Sequence, residues 1–197
     1  MSSVRADRFT ALIDANVLAP VLKRNIVLSL AEEGFFRARW STQILDETER
    51  TIAKLVEERR DDPAAHATDQ RQRIERAFPD AVVEGYEPLI AGLELPDPDD
   101  RHVLAAAIRT AAAIIVTDNA KDFPDDVLAT FDIQRVSTDD FVADIVDLDP
   151  VGSVAALRRM RERFKRPDID ADTLIRRIEA IGLTRTADLL LNESPNL

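Results

Sequence analysis

The five residues Ala113–Thr117 (AIIVT) are apolar or β-branched with no polar alternate. A strand with one wet face alternates apolar and polar side chains, whereas a strand buried on both faces reads as a continuous apolar run. Such a strand sits inside a mostly parallel sheet, and the chain around it must supply further strands and the helices that cover them.

Residues 1–149 provide both. Phe9–Asp14 (FTALID) is a short apolar run ending on an acid, Arg37–Ser41 (RARWS) a shorter strand, Ala81–Val83 another, and Ile133–Val136 a last one. Helical sequence lies between them. After Asp14 the chain is helix-compatible, and from Thr42 the segment TQILDETERTIAKLVEERR places Ile44, Thr48, Ile52 and Leu55 at helical spacing beside Leu45 and Val56. Pro63–Phe78 is polar and helix-permissive, ended by Pro79. RHVLAAAIRTAA from Arg101 is a dense helix former, Asp125–Thr130 a short helix, and Ser137–Asp147 a helix capped by Ser137 or Thr138. The expected class is α/β, a three-layer α/β/α sandwich with a mostly parallel sheet. Pro150 and Gly152 mark a change of composition, after which residues 154–166, 172–182 and 184–192 read as three short helices. The division expected is a sheet domain over 1–149 and a C-terminal helical extension over 150–197.

Composition narrows the chemistry. A chain of 197 residues that is 45% hydrophobic can bury a real core. Cysteine is absent, which excludes disulfides and thiolate metal sites, and His66 and His102 are the only histidines. A metal ion here must be held by carboxylates, whose hard oxygens suit magnesium or manganese. No segment approaches the roughly 18 apolar residues of a spanning helix, so a soluble cytoplasmic protein without a membrane partner is expected. The formal net charge is −11, opposite in sign to the basic footprint of most nucleic-acid binders. It is unevenly spread: residues 150–197 carry nine Lys+Arg and seven Asp+Glu, leaving seventeen against thirty for residues 1–149. The most basic stretch, Leu157–Arg166 (LRRMRERFKR), reads as a solvated helix face, or alternatively as a surface for steering or docking.

Three acids stand out by position. Asp14 and Asp118 each follow a strand, and in open α/β sheets ligands bind beyond the carboxyl ends of strands. Asp100 opens its helix: at about 100° per residue, Val103, Leu104, Ala107, Ile108 and Ala111 fall within roughly 80° of it, so it heads the inward stripe. A carboxylate on a buried face must be paired, hydrogen-bonded or metal-bound, the bland alternative being that it satisfies first-turn amides. The same phase turns Asp99, Arg101 and His102 elsewhere, so His102 reads as a surface residue; Asp97, before Pro98, reads as an N-cap. Glu47 lies about 120° from the centre of its helix's apolar stripe, with Asp46 and Glu49 as competitors. Asp122 follows Asp118 by four positions, so the two would share a face on a helical turn; Asn119 and Asp122 could equally be turn or capping residues. Carboxylates gathered in one place need a cation, and a divalent ion among them can activate water and polarise a phosphoryl oxygen, which is the chemistry of phosphodiester hydrolysis.

The motifs LIDANVL (Leu12–Leu18), the acid-bearing helix around ILDETE, DDRHVLAAA (Asp99–Ala107) and VTDNAKDF (Val116–Phe123) together resemble the PIN-domain family, in particular the VapC-like toxins of bacterial toxin–antitoxin pairs. The resemblance covers roughly residues 9–140. It implies four acids, Asp14, Glu47, Asp100 and Asp118, with Asp14, Asp100 and Asp118 holding the metal. Asn16 and Thr117 fall where family members place polar residues near the ion, and Asp122 matches a further or water-mediated ligand. Also implied are magnesium- or manganese-dependent endoribonuclease activity on RNA, homodimers, and a small antitoxin partner. The extension from about residue 150 departs from a minimal toxin. Two other readings remain: a non-catalytic RNA-binding or protein-interaction module on the same fold, and a haloacid-dehalogenase-like phosphatase. Against the latter, Asn16 stands where such enzymes usually carry a second acid.

Overall fold

The computed structural model describes residues 9–164 and 168–197. In chain order its elements are β1 (Thr10–Ile13), α1 (Ala15–Leu18), α2 (Val21–Glu32), β2 (Arg37–Ser41), α3 (Thr42–Val56), α4 (Pro63–Ala77), β3 (Val82–Val83), α5 (Glu87–Ile90), a 3-10 turn at Pro98–Asp100, α6 (Arg101–Arg109), β4 (Ile114–Val116), α7 (Asp125–Ala129), β5 (Gln134–Val136), α8 (Thr138–Leu148), α9 (Pro150–Glu162), α10 (Ala171–Ala180) and α11 (Thr184–Leu191). The chain gathers into two compact units, residues 9–20 with Phe36–Val136, and Val21–Phe35 with Ser137–Leu197.

The first unit holds the sheet. Its strands run in the order β3-β2-β1-β4-β5, all parallel, flanked by helices. The expected class is met, and the buried strand is β4, whose Ile115 and Val116 are inaccessible to solvent. From β1 the chain winds outward through β2 to β3, then returns to the other side of β1 to lay down β4 and β5. The winding therefore reverses between β1 and β4, the kind of place where an open α/β sheet binds its ligands. Helix α6 packs on β1, β2 and β4.

Local chemistry sets the helix that carries Glu47. Ser41 ends β2 and caps α3, its Oγ accepting the Ile44 amide at 3.1 Å. Ile44, Leu45, Thr48 and Ile52 turn inward, and α4 packs along α3 as an antiparallel hairpin. Arg71 of α4 ties the pair together: its guanidinium reaches Asp46 Oδ1 at 2.5 Å and Glu49 Oε2 at 2.9 Å on α3, and Glu75 Oε1 at 3.1 Å on its own helix. Two of the three acids that compete on sequence are thus committed to Arg71.

The second unit is helical. Gly34, in the left-handed region at φ 77°, ends α2, and the amides of Gly34 and Phe35 reach back to Ala31 O and Leu30 O. Ser137 caps α8, accepting the Asp140 amide at 3.1 Å. Asp139 turns across to α11, where its carboxylate accepts the amides of Arg185 at 2.9 Å and Thr186 at 2.8 Å. In the basic stretch at the end of α9, three of the four described arginines have partners within this unit. Arg159 pairs with Glu33, just beyond α2, at 2.7 Å, Arg163 pairs with Glu32, the last residue of α2, at 2.9 Å, and Arg161 donates to the backbone oxygens of Ile169 and Leu197. Lys165 and Arg166 of that stretch lie outside the described residues. No helix among the described residues is long and apolar enough to cross a membrane.

Candidate metal centre

Asp14 lies at the reversal of the sheet. Ile13 is in register with Val116, and the Asp14 amide donates to Val116 O at 3.1 Å, so the residues after β1 and β4 leave the sheet side by side. Asp14 Oδ1 accepts the Ala15 amide at 2.6 Å and caps α1, while Oδ2 accepts Asn16 Nδ2 at 2.6 Å and the Thr117 hydroxyl at 2.7 Å. The Thr117 Oγ1 also accepts from Asn16 Nδ2 at 2.9 Å and from the Asn119 amide at 3.1 Å. Asn16 completes the link to the second loop, its Oδ1 accepting the Asp118 amide at 3.1 Å. Asp14 and Thr117 are buried. Burial pushes the Asp14 carboxyl above its ordinary pKa; the hydrogen bonds from Thr117 and the Ala15 amide pull it back, Glu47 pushes it up and His102 draws it down.

A second group of acids stands at the start of α6. Asp97, Asp100 and Asp122 offer carboxylate oxygens that all lie within 4.8 Å of one another. The Asp100 carboxyl is pushed up to about 6, first by desolvation and then by the negative charges of Asp14, Asp97, Asp122 and Glu47. Those contributors join Asp14 and Glu47 electrostatically to the trio. Negative charge gathered in this way is relieved by a compensating cation. The donor set is wholly carboxylate oxygen and fits a hard divalent ion.

Asp97 caps the turn, its Oδ1 accepting the Asp99 amide at 2.9 Å, yet it is also a member of the trio. Its i, i+3 spacing from Asp100 is the sequence signal for that second role. Residues 118–124 form turns and bends, not a helix, so Asp118 and Asp122 do not share a helical face: Asp118 is exposed and Asp122 buried. The Asp118 carboxylate stands outside the group of three, and the loop bearing it is held through Asn16 and through Asn119, whose Nδ2 lies 3.4 Å from Asp100 Oδ2.

One expectation fails. His102 is not a surface residue: it is 2% exposed, with Nε2 3.0 Å from Glu47 Oε1. Helical phase alone puts His102 on a wet face, but His102 and Val103–Ala107 of α6 are all buried, since the small Ala105 and Ala106 on that face let neighbouring elements close over it. Glu47 is therefore distinguished from Asp46 and Glu49 by its partner. They face Arg71; Glu47 Oε1 faces His102 at 3.0 Å, with the exposed Arg50 farther off at 4.0 Å.

Comparison with known proteins agrees with this architecture. The PIN domain family matches residues 10–121, more than half of the chain, and the VapC50 C-terminal domain matches residues 138–192. A protein of Mycobacterium tuberculosis (strain ATCC 25618 / H37Rv), named "Putative ribonuclease VapC50", is 40% identical over 102 residues, which are 52% of this chain and 58% of that protein. The chain thus spans less than two thirds of this relative's length. No solved structure matches the chain. With a parallel sheet whose point of reversal gathers acids, and a family match over more than half its length, the protein belongs to the PIN-domain family.

Proposed function

We propose that this chain is a divalent-metal-dependent endoribonuclease, hydrolysing RNA phosphodiester bonds with magnesium or manganese. The observation that carries the reading is the acid pool at the β1/β4 reversal, in which Asp14 is buried among hydrogen-bond donors and Asp100 is crowded by four other carboxylates. The family match and the name of the Mycobacterium relative support it.

In this reading Asp14, Asp100 and Asp118 would hold the ion, Asp97 and Asp122 add negative charge beside Asp100, and Glu47 would help to hold or position it. When bound, a divalent cation supplies a polarised phosphoryl oxygen and an activated water. The chain's own contribution is placement. Asn16 and Thr117 restrict Asp14 to one orientation and tie the Asp118 loop to β1, which keeps the acids of two separate strands in register. The chemistry belongs to residues 1–149, with the helical extension 150–197 as an accessory. Because the site is anionic, a partner offering Arg or Lys side chains can occupy it in place of metal and RNA. We assign that part to a small antitoxin, with the chain as the toxin of a type II pair and a homodimer.

The test is cleavage of RNA by the full chain and by Asp14→Asn and Asp118→Asn. Both variants should lose metal-dependent cleavage while keeping the wild-type circular dichroism spectrum. Unchanged cleavage by both would sink the assignment, and saturable metal binding without any cleavage by the wild type would favour a non-catalytic RNA-binding or interaction module.

A further inference from the structure

His102 is the one histidine buried in the sheet unit, and its environment is costly. Among the described residues neither ring nitrogen has an aligned hydrogen-bond partner, although Nε2 approaches Glu47 Oε1 to 3.0 Å. An unsatisfied buried nitrogen costs on the order of 1–3 kcal/mol, so an apolar side chain of similar size would serve packing better. A group that is poor for packing, yet aimed at an acid of the candidate site, calls for another role.

We propose that His102 is a positioning residue for Glu47: its Nε2, 3.0 Å from Glu47 Oε1, is placed to donate to that carboxylate once the two align, and so to fix the orientation of Glu47 at the site. The inference rests on the metal-site reading above and goes beyond it, since it adds a residue from a different helix that need not touch ion or RNA. Three features support it. The side chain is enclosed on a helix packed against three strands, so it cannot swing away. Glu47 sits at the edge of its helix with 27% of its side chain exposed, and its other cationic neighbour, the exposed Arg50, comes only to 4.0 Å of the same Oε1, so without His102 the carboxylate would sample several rotamers. The flanking acids that could compete for the ring, Asp46 and Glu49, are held by Arg71. Outer-shell donors of this kind typically change metal affinity or activity by about 10–100-fold when removed.

The experiment uses the full chain in two arms. With only His66 and His102 present, imidazole 15N NMR of the metal-free protein resolves both rings. A proton on His102 Nε2, with a resonance that moves in Glu47→Gln and stays in Glu49→Gln, is expected. A bare Nε2, or no response to Glu47→Gln, overturns the proposal. In the second arm, manganese affinity is measured by calorimetry alongside the melting temperature. His102→Leu should weaken binding by about 10–100-fold without lowering the melting temperature, and His102→Gln, whose amide can donate to Glu47, should restore most of it. In a Glu47→Gln background, His102→Leu should have no further effect. An equal effect in both backgrounds, or a loss that tracks a falling melting temperature, overturns the positioning role. RNA cleavage on the same samples tests the underlying reading separately: a wild type that binds manganese in this pattern but cleaves nothing removes the ribonuclease assignment and leaves His102 in place.

Discussion

Without a metal ion, the acid cluster should lose stability as the pH rises. The group responsible is Asp100, whose carboxyl is pushed from 3.8 up to about 6 by desolvation and by its acidic neighbours. A raised acid pKa means the folded state binds the proton more tightly than the unfolded chain. The contribution is therefore fully present below about 3.8 and lost as pH rises through about 6. Full burial would make it about 3 kcal/mol at roughly 1.4 kcal/mol per pKa unit; Asp100 is only partly buried, and solvent screening reduces it to about 1 kcal/mol. For a chain of this length that corresponds to a change in Tm of roughly 2–4 °C. Asp14, also raised by burial, adds in the same direction, while Glu49, lowered by Thr68 and Arg71, opposes it. The difference between wild type and Asp100→Asn therefore isolates the effect. Melting in chelator at pH 4 and pH 7.5 should show Asp100→Asn gaining on the wild type at the higher pH, and manganese should restore the wild type there. Parallel pH dependence of the two proteins would refute the crowding of Asp100.

Three further substitutions probe the frame around the site. Asp139→Ala removes the acceptor for two amides at the start of α11 and should cost about 1–2 kcal/mol in urea denaturation with cleavage unchanged. Arg71→Met releases Asp46 and Glu49; because these pairs are partly exposed, a loss of about 1 kcal/mol by thermal melting is expected. Leu104→Ala, at a fully buried position on α6, should cost about 3 kcal/mol in the same assay.

How much of this was readable beforehand depends on the range of the interaction. Apolar continuity at Ala113–Thr117 marks β4, and the acids after β1 and β4 stand at strand ends because strand length and polarity are local properties. Ser137 and Asp97 act as caps for the same reason. What escaped depends on neighbours distant in sequence. His102 faces inward because three strands enclose α6, a fact that helical phase cannot contain. Glu47 separates from Asp46 and Glu49 only when Arg71, 25 positions beyond Asp46, claims the other two. Asp97 was legible as a cap, and the cap concealed its approach to Asp122, which the turn after β4 brings near. The divergent environments of Asp118 and Asp122 likewise follow from that turn.

The most direct test of the central claim is an RNA cleavage assay on one preparation of the wild-type chain, divided between chelator, magnesium and manganese. Cleavage to defined fragments in either metal, absent in chelator and restored on re-addition of the ion, is the predicted result. Cleavage that persists unchanged in chelator would contradict a metal-dependent site built from Asp14, Asp100 and Asp118.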